Sequence, residues 1–441
     1  MTTVPPPSDP SGSSLSVAAR VRRGVADYSH HLGLFSRNAR LYLFGSFLMG
    51  INFQVFMLLL NLLLKEIGYV EGDIGLVASS RAVGMSVIAI PAGILLSRVR
   101  LKPILMASCV LFAFFSYFMA SVQQLALLLC FSTLSGMAFS FYRVAAGPFY
   151  MRNSTPTERT HLFSFSFGTN LLAGIMGAAG AGRLAAMIGE RSGDMIWGYQ
   201  CTLYIGIGVS LLALIPFMLI RSAPPSKEEN RITLTRAQFR KRGRFYGKVF
   251  ATNFMIGMGA GLIIPFLNLY FRDRFNLAPD TIGLYYSIVH GSMLIGSLAG
   301  PVLVKRLGLV RTVVITQVLS IPFMAVLSYT FWLPLAFVAF VLRGGLMNLG
   351  VPLVTNLGME LAEKEEQGLT GALLMVGWTS SWMVSTAVGG WLIEHYGYTL
   401  TMNLTIAVYL LSTGIFFWMF RRAEVKNGNG RGWQFVREVS A

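Results

Sequence analysis

Long apolar runs alternate with short polar breaks along nearly the whole chain. Twelve such runs can be marked, over residues 40–64, 74–97, 103–121, 124–150, 160–186, 196–220, 247–271, 281–304, 311–330, 332–357, 368–393 and 399–420. Each is close to the roughly 20 residues that a helix needs to cross a hydrocarbon core. Most are too long for barrel strands and lack period-two alternation, so self-satisfied helices are the predicted elements. The pattern predicts an all-α membrane protein with twelve transmembrane helices in two six-helix bundles.

The polar breaks are unequal. The longest internal one, 221–246, separates six runs from six and carries Arg221, Lys227, Arg231, Arg236, Arg240, Lys241, Arg242 and Arg244. Pro224-Pro225 ends the run before it. The part after Thr233 suits a helix lying on the membrane surface, and the whole break reads as a tether. The expected organisation is a disordered basic tail over 1–35, one bundle over 36–221, a basic linker over 222–246, a second bundle over 247–422 and a tail over 423–441. Residues 1–35 are Pro/Ser-rich and then basic, without the apolar core of a cleavable signal.

The second bundle repeats landmarks of the first. Ile74-Gly75-Leu76 returns as Ile282-Gly283-Leu284, Arg98 as Arg306, Gly136 as Gly344 and Glu158 as Glu366, each 208 residues on. Trp197-Gly198-Tyr199 with Thr202 returns as Tyr396-Gly397-Tyr398 with Thr401, 199 residues on. Pseudo-symmetric halves can rock about a site held between them, which points to transport.

Composition sharpens the class. Hydrophobic residues make up 54% of the 441 and charged residues 12%, about half the charged fraction of a soluble domain. The net charge of +17 is unevenly placed: 28 of 36 Lys/Arg lie at or before the first run, in or beside even-numbered breaks, or after the last run. Lys65, Arg183, Arg191, Arg272 and Arg274 lie on the other side, and Arg81, Arg143 and Arg343 lie inside runs. Such an excess marks cytoplasmic loops, so both termini are expected in the cytoplasm, of the plasma (cell inner) membrane. The basicity reports topology and attraction to lipid headgroups; no element suited to reading nucleic acid stands out. Cys109, Cys130 and Cys201 all lie in predicted helices without metal-ligand spacing and read as small packers.

Six plus six helices, a basic central loop and cytoplasmic termini make residues 36–422 resemble the major facilitator superfamily. That family's loop pattern, roughly G-x-L-x-D-R-x-G-R-R, is matched after the second helix by Gly93-Ile94-Leu95-Leu96-Ser97-Arg98-Val99-Arg100-Leu101-Lys102, with Ser97 and Arg100 at the Asp and second Gly. After the eighth helix, Lys305-Arg306-Leu307-Gly308-Leu309-Val310-Arg311 keeps Arg and Gly but has Lys at the acidic position. The G-x-x-x-G-P-x-x-G-G motif of drug–proton antiporters is incomplete. Gly174, Gly177, Gly180 and Gly182 are present without the proline, and small residues so spaced let helices approach closely.

No nucleophile–base pair, phosphate-cradling loop or metal cluster stands out, so neither an enzyme nor a cofactor or metal site is expected. There is no nucleotide-binding domain, so transport would be passive or draw on a coupling ion or counter-substrate. All 19 Asp and Glu fall in termini, loops or helix ends, whereas three arginines lie within the predicted membrane. Such charges are costly and usually face a bundle interior or water. Arg81 lies about 10 Å inside the outer end of the second helix, Arg343 near the middle of the tenth, and Arg143 toward the inner end of the fourth, within reach of snorkelling. His290, one residue from the repeat equivalent of Arg81, is the one conventional proton carrier in this core. Asn52, Gln54, Asn253 and Asn268 are candidate neutral contacts, although amides joining helices look the same in sequence.

The resemblance implies a cavity lined by the first, fourth, seventh and tenth helices, which favours Arg143, Arg343 and these amides. Uncompensated arginines suit an anionic or zwitterionic small-molecule solute. The alternatives are export of hydrophobic drugs or lipid-like amphiphiles, or a non-transporting sensor or scaffold. Arg98 with Glu158, and Arg306 with Glu366, are expected to brace the inner helix ends as gating pairs. A monomer among membrane lipids is expected.

Overall fold

The computed structural model describes residues 35–154, 156–221, 242–363, 367–426 and 433–435. The first half comprises α1 (Arg37–Ile67), α2 (Glu71–Arg98), α3 (Leu101–Ser121), α4 (Leu125–Asn153), α5 (Pro156–Ser192), α6 (Met195–Leu212) and its short continuation α7 (Leu214–Leu219). The second comprises α8 (Gly243–Ile263), a 3-10 turn (Ile264–Phe266), α9 (Leu267–Phe275), α10 (Pro279–Leu307), α11 (Leu309–Tyr329), α12 (Leu333–Leu361) and α13 (Gln367–Phe420).

Among the described residues eleven helical segments are long and apolar enough to cross a membrane. The last, α13, breaks at Gly397, whose φ of 78° and ψ of 176° reverse the chain. Counting its two arms separately gives twelve crossings, and the chain is an integral multi-pass membrane protein. Several helices run a few residues past the apolar runs, because a helix continues beyond the hydrocarbon it spans. One landmark needs correction. Gly198 lies inside α6, packed on the Ala185 carbonyl, whereas Gly397 makes a turn; the turn between α5 and α6 is made at Gly193, with φ of 72°.

Local chemistry sets the helix ends. The Ser36 hydroxyl oxygen accepts the Ala39 N–H at 3.2 Å at the start of α1, and the Asp194 carboxylate accepts the Ile196 N–H at 2.9 Å at the start of α6. Both satisfy donors that a helix start leaves open. The break between α8 and α9 follows from Pro265, which cannot donate. There the Leu269 N–H donates to the Oδ1 of Asn268 at 3.0 Å.

Beyond α13, β1 (Glu424–Lys426) pairs antiparallel with β2 (Trp433–Phe435), where a plain tail was expected. Glu424 accepts the N–H groups of Leu309 and Val310 at 2.8 and 2.9 Å and so caps α11. The N-terminal tail up to residue 34 and linker residues 222–241 lie outside the described residues.

An even number of crossings puts both chain ends on one side, called here the near end. At the opposite, far end a single apolar cluster draws on both halves. It joins Leu58, Leu62, Ile74, Ala178 and Ala185 to Ile263, Phe271, Ile282, Phe340 and Met402. Toward the near end the core divides. Phe35, Tyr42, Leu101, Phe149 and Phe217 cluster within the first half, and Phe245, Val249, Leu309, Leu357 and Phe420 within the second. The halves are fused at the far end and separately packed at the near end.

Candidate functional site between the halves

The far-end seam is built from glycines and amides. Gly75 of α2 meets Gly390 of α13, and a methyl group on Gly75 would lie 3.0 Å from the Gly390 Cα. Gly283 of α10 meets Gly182 of α5 in the same way, at 2.9 Å. Only residues without side chains permit such backbone approach. These crossings are repeat mates: 75 maps to 283 and 182 to 390, each 208 residues on. Between them the Asn61 amide donates to the Pro265 carbonyl at 2.6 Å, and the Asn268 amide to the Leu58 carbonyl at 2.7 Å. Ser79 donates to the Met383 carbonyl, again across the halves.

Charges surround the seam on its far side. Glu66 pairs with Arg272 across the halves, and Arg183 with Asp280 at 3.9 Å. Lys65 pairs with Glu71 within the first half, and Tyr398 donates to Asp273 at 2.6 Å within the second. In the connecting loop, burial and then the Asp73 carboxylate push the Tyr69 phenol above its ordinary value. Every inter-half hydrogen bond and ion pair described here lies in the far part of the bundle.

The three arginines occupy different settings. Arg81 and Arg343 each lie ten residues from the far end of their helices, about 15 Å deep. Arg81 is half-buried over the rings of Phe53 and Phe56, at 5.8 and 6.0 Å; its buried Nη2 has no partner. Arg343 is only 3% exposed, donates to the Tyr409 hydroxyl at 3.1 Å and leaves Nε unpartnered. It is enclosed within the second half.

Arg143 is exposed, ten residues from the near end of α4. On a helical wheel it lies between Ser140, which bonds α2, and Phe139, which stacks on Phe53 of α1. The exposed Leu127 and Cys130 lie on the other side of α4. Arg143 therefore lies on the side of α4 turned toward α1 and α2, opposite Leu127 and Cys130. Among the described residues no carboxylate pairs with any of the three.

His290 sits at the inner edge of the seam, its ring against Gly174 of α5. Its Nδ1 is 2.7 Å from the Tyr286 carbonyl. A carbonyl only accepts, so Nδ1 carries the proton and Nε2 the lone pair in the neutral ring. The amides divide. Asn52 donates to Ser210 of α6 at 3.1 Å within the first half, and Asn253 to the Leu374 carbonyl at 3.0 Å within the second. Gln54 packs beside Gly177 of α5. Of the four, Asn268 alone bonds across the halves.

The seam also draws on Ser79 and Gly390, which are not sequence candidates, and on Asn61 as the partner of Asn268. Leu60-Asn61-Leu62 recurs as Leu267-Asn268-Leu269 at an offset of 207, one short of the main repeat, and that signal would have found the pair. Of the expected gating pairs, Arg98 and Arg306 are exposed. The Glu158 side chain and all of Glu366 lie outside the described residues. Near-end helix termini carry other partners: Arg152 donates to the Leu96 carbonyl at 3.0 Å, and Arg242 to the Leu361 carbonyl at 3.2 Å. Among the described residues, no three His, Cys, Asp or Glu side chains gather as metal ligands would.

Comparisons with known proteins bear on this architecture. The sequence profile of the Major Facilitator Superfamily matches residues 42–251 and 249–439. A sequence comparison with curated proteins gives no match. Among solved structures, a bacterial homologue of the human lysosomal transporter Spinster, in an inward-facing and unoccupied conformation, superposes with a TM-score of 0.71 at 12% identity, covering 87% of this chain and 97% of its own. The nucleoside transporter NupG gives 0.68 at 16% identity, covering 88% and 100%. A D-xylose–proton symporter gives 0.68 at 16% identity, covering 86% and 97%. At these identities the likeness is one of fold.

Proposed function

Given that the chain belongs to the major facilitator superfamily, we propose that it is a secondary transporter. It moves a small organic solute, anionic or zwitterionic, through the space between its halves by alternating access. The near end is the cytoplasmic one, as the Lys/Arg excess on that side implies. On this assignment the structure corresponds to the inward-facing state, with its extracellular end shut, in the plasma (cell inner) membrane.

One observation carries the substrate class. Arg143 is exposed at membrane depth on the α1/α2 side of α4, without a carboxylate partner among the described residues, and we take it to face the space between the halves. A guanidinium held at membrane depth is unfavourable unless water, carbonyls or an anion complete it. A solute carboxylate or phosphate supplies two oxygens in the geometry that a guanidinium fork favours. Arg81 is the second cation of the same half, and Arg343 and His290 set the charge behind the opposite wall.

A second reading, a lipid-like amphiphile or hydrophobic drug, draws on the stacked rings of Phe53 and Phe139, 4.6 Å apart beside Arg81. Uptake into proteoliposomes decides between them. The leading reading requires flux of acidic solutes with affinity that depends on their charge. Equal affinity for neutral analogues would favour the second reading, and absence of any flux would leave a sensor or scaffold.

A further inference from the structure

The two inter-half amide bonds are related by the internal repeat. Asn61 and Asn268 are 207 residues apart, and so are the carbonyls they reach, Leu58 and Pro265. Each asparagine donates to the residue three before the other. This is the reciprocal contact of a two-fold dimer, formed here within one chain. Asn268 is fully buried and Asn61 is 9% exposed.

Both acceptors are backbone carbonyls. In α1 the Leu58 carbonyl belongs to regular helix and offers its second lone pair. In the second half Asn268 Oδ1 accepts the Leu269 N–H beside the Pro265 carbonyl that Asn61 reaches. Asn268 thus uses both ends of its amide at this crossing, accepting within α9 and donating to α1. The surrounding ion pairs are partly exposed and worth little. The glycine crossings pack closely, and beside one of them Ser79 adds a single hydroxyl bond to the Met383 carbonyl. The two amides are the buried, directional bonds between α1 and α9, and a rigid rocking of the halves breaks both together.

We propose that Asn61 and Asn268 form the latch of the far-end gate and set the balance between the carrier's two faces. The proposal rests on the alternating-access reading, and its test separates the two ideas. Spin labels at Gln123 and Phe331, in the far-end turns, and at Arg100 and Lys305, near the near end, report each opening in the full-length protein. Cys109, Cys130 and Cys201 are replaced, and the protein is placed in lipid bilayers.

Asn61→Leu and Asn268→Leu keep the approximate shape and remove the donor. Each should raise the ratio of far-end-open to far-end-closed molecules about fivefold, the loss of one net hydrogen bond. In the double variant the shift should fall short of the product of the two singles, because either break releases the other. Asn61→Ser, smaller and still polar, should shift the ratio the same way and serves if a leucine variant fails to fold. Gly390→Leu, which cannot close its crossing, is the control for a reachable outward state. If that control opens the far end while the asparagine variants lower the unfolding temperature with unchanged distances, the latch is overturned and alternation stands. If neither the control nor the variants open it, alternating access falls as well.

Discussion

Gly283 approaches Gly182 so closely that a methyl group on it would lie 2.9 Å from the Gly182 Cα and 2.5 Å from the Ala178 carbonyl oxygen. The obstacle is backbone, which cannot swing aside as a side chain can. Leucine at Gly283, or at its repeat mate Gly75, should therefore hold the far end apart. Substrate uptake should fall at least about tenfold, since a carrier that cannot close one gate completes no cycle. The protein should still reach the membrane, and a cysteine beside the seam should become reactive from outside. Normal transport by Gly283→Leu would show that the seam yields more readily than its geometry says.

Arg143 and Arg343 should separate by phenotype. Arg143→Ala removes an exposed guanidinium and should weaken binding of an acidic solute about tenfold or more, with little change in unfolding temperature. Arg143→Lys keeps the charge, loses the two-pronged geometry and should fall between. Arg343→Ala leaves the buried Tyr409 hydroxyl without its partner, at about 1–3 kcal/mol. It should lower thermal stability before it changes affinity. Should Arg343→Ala abolish binding while the fold keeps its stability, Arg343 contacts the solute in another state of the cycle.

Orientation is open to direct measurement. Cysteines introduced at Gln123 and Phe331, both exposed at the far end, should react with an impermeant thiol reagent on intact cells. One at Lys102 should resist until the membrane is opened. Glu71, at the far-end start of α2, is a poorer reporter, because it is only 12% exposed and paired with Lys65. The reverse pattern would invert the whole assignment.

Most of the architecture was legible from hydropathy alone. Apolar runs fix where helices cross lipid, and the charge bias between breaks suggests which side is which. What hydropathy does not carry is direction around each helix. Asn52 and Asn61 look alike in sequence, yet one turns inward to Ser210 and the other across to Pro265. Arg343 and Arg143 differ in the same way. The turn at Gly397 hid for another reason: its neighbours resemble those of Gly198, while its positive φ is shared with Gly193. The hairpin at Glu424 depends on a carboxylate reaching the start of a helix 115 residues earlier.

That cap can be tested without transport. Glu424→Ala leaves the Leu309 and Val310 N–H groups without their carboxylate, at about 1 kcal/mol. Those two amides should exchange with deuterium faster, and Glu424→Gln should give an intermediate rate because it keeps an oxygen but not the charge. Unchanged exchange in both variants would mean that water replaces the carboxylate at no cost.

The apolar cluster shared by the halves at the far end has a kinetic consequence. If the halves rock as proposed, opening that end would expose apolar side chains from Leu58 to Leu64 and from Ile263 to Phe271 to water, not lipid, while closing the near end would have to join two separately packed cores. On the alternating-access proposal, an unloaded protein should therefore rest on one side and return slowly. One-for-one exchange of labelled for unlabelled solute should outrun net accumulation, and solute on the far side should accelerate exit from the near side.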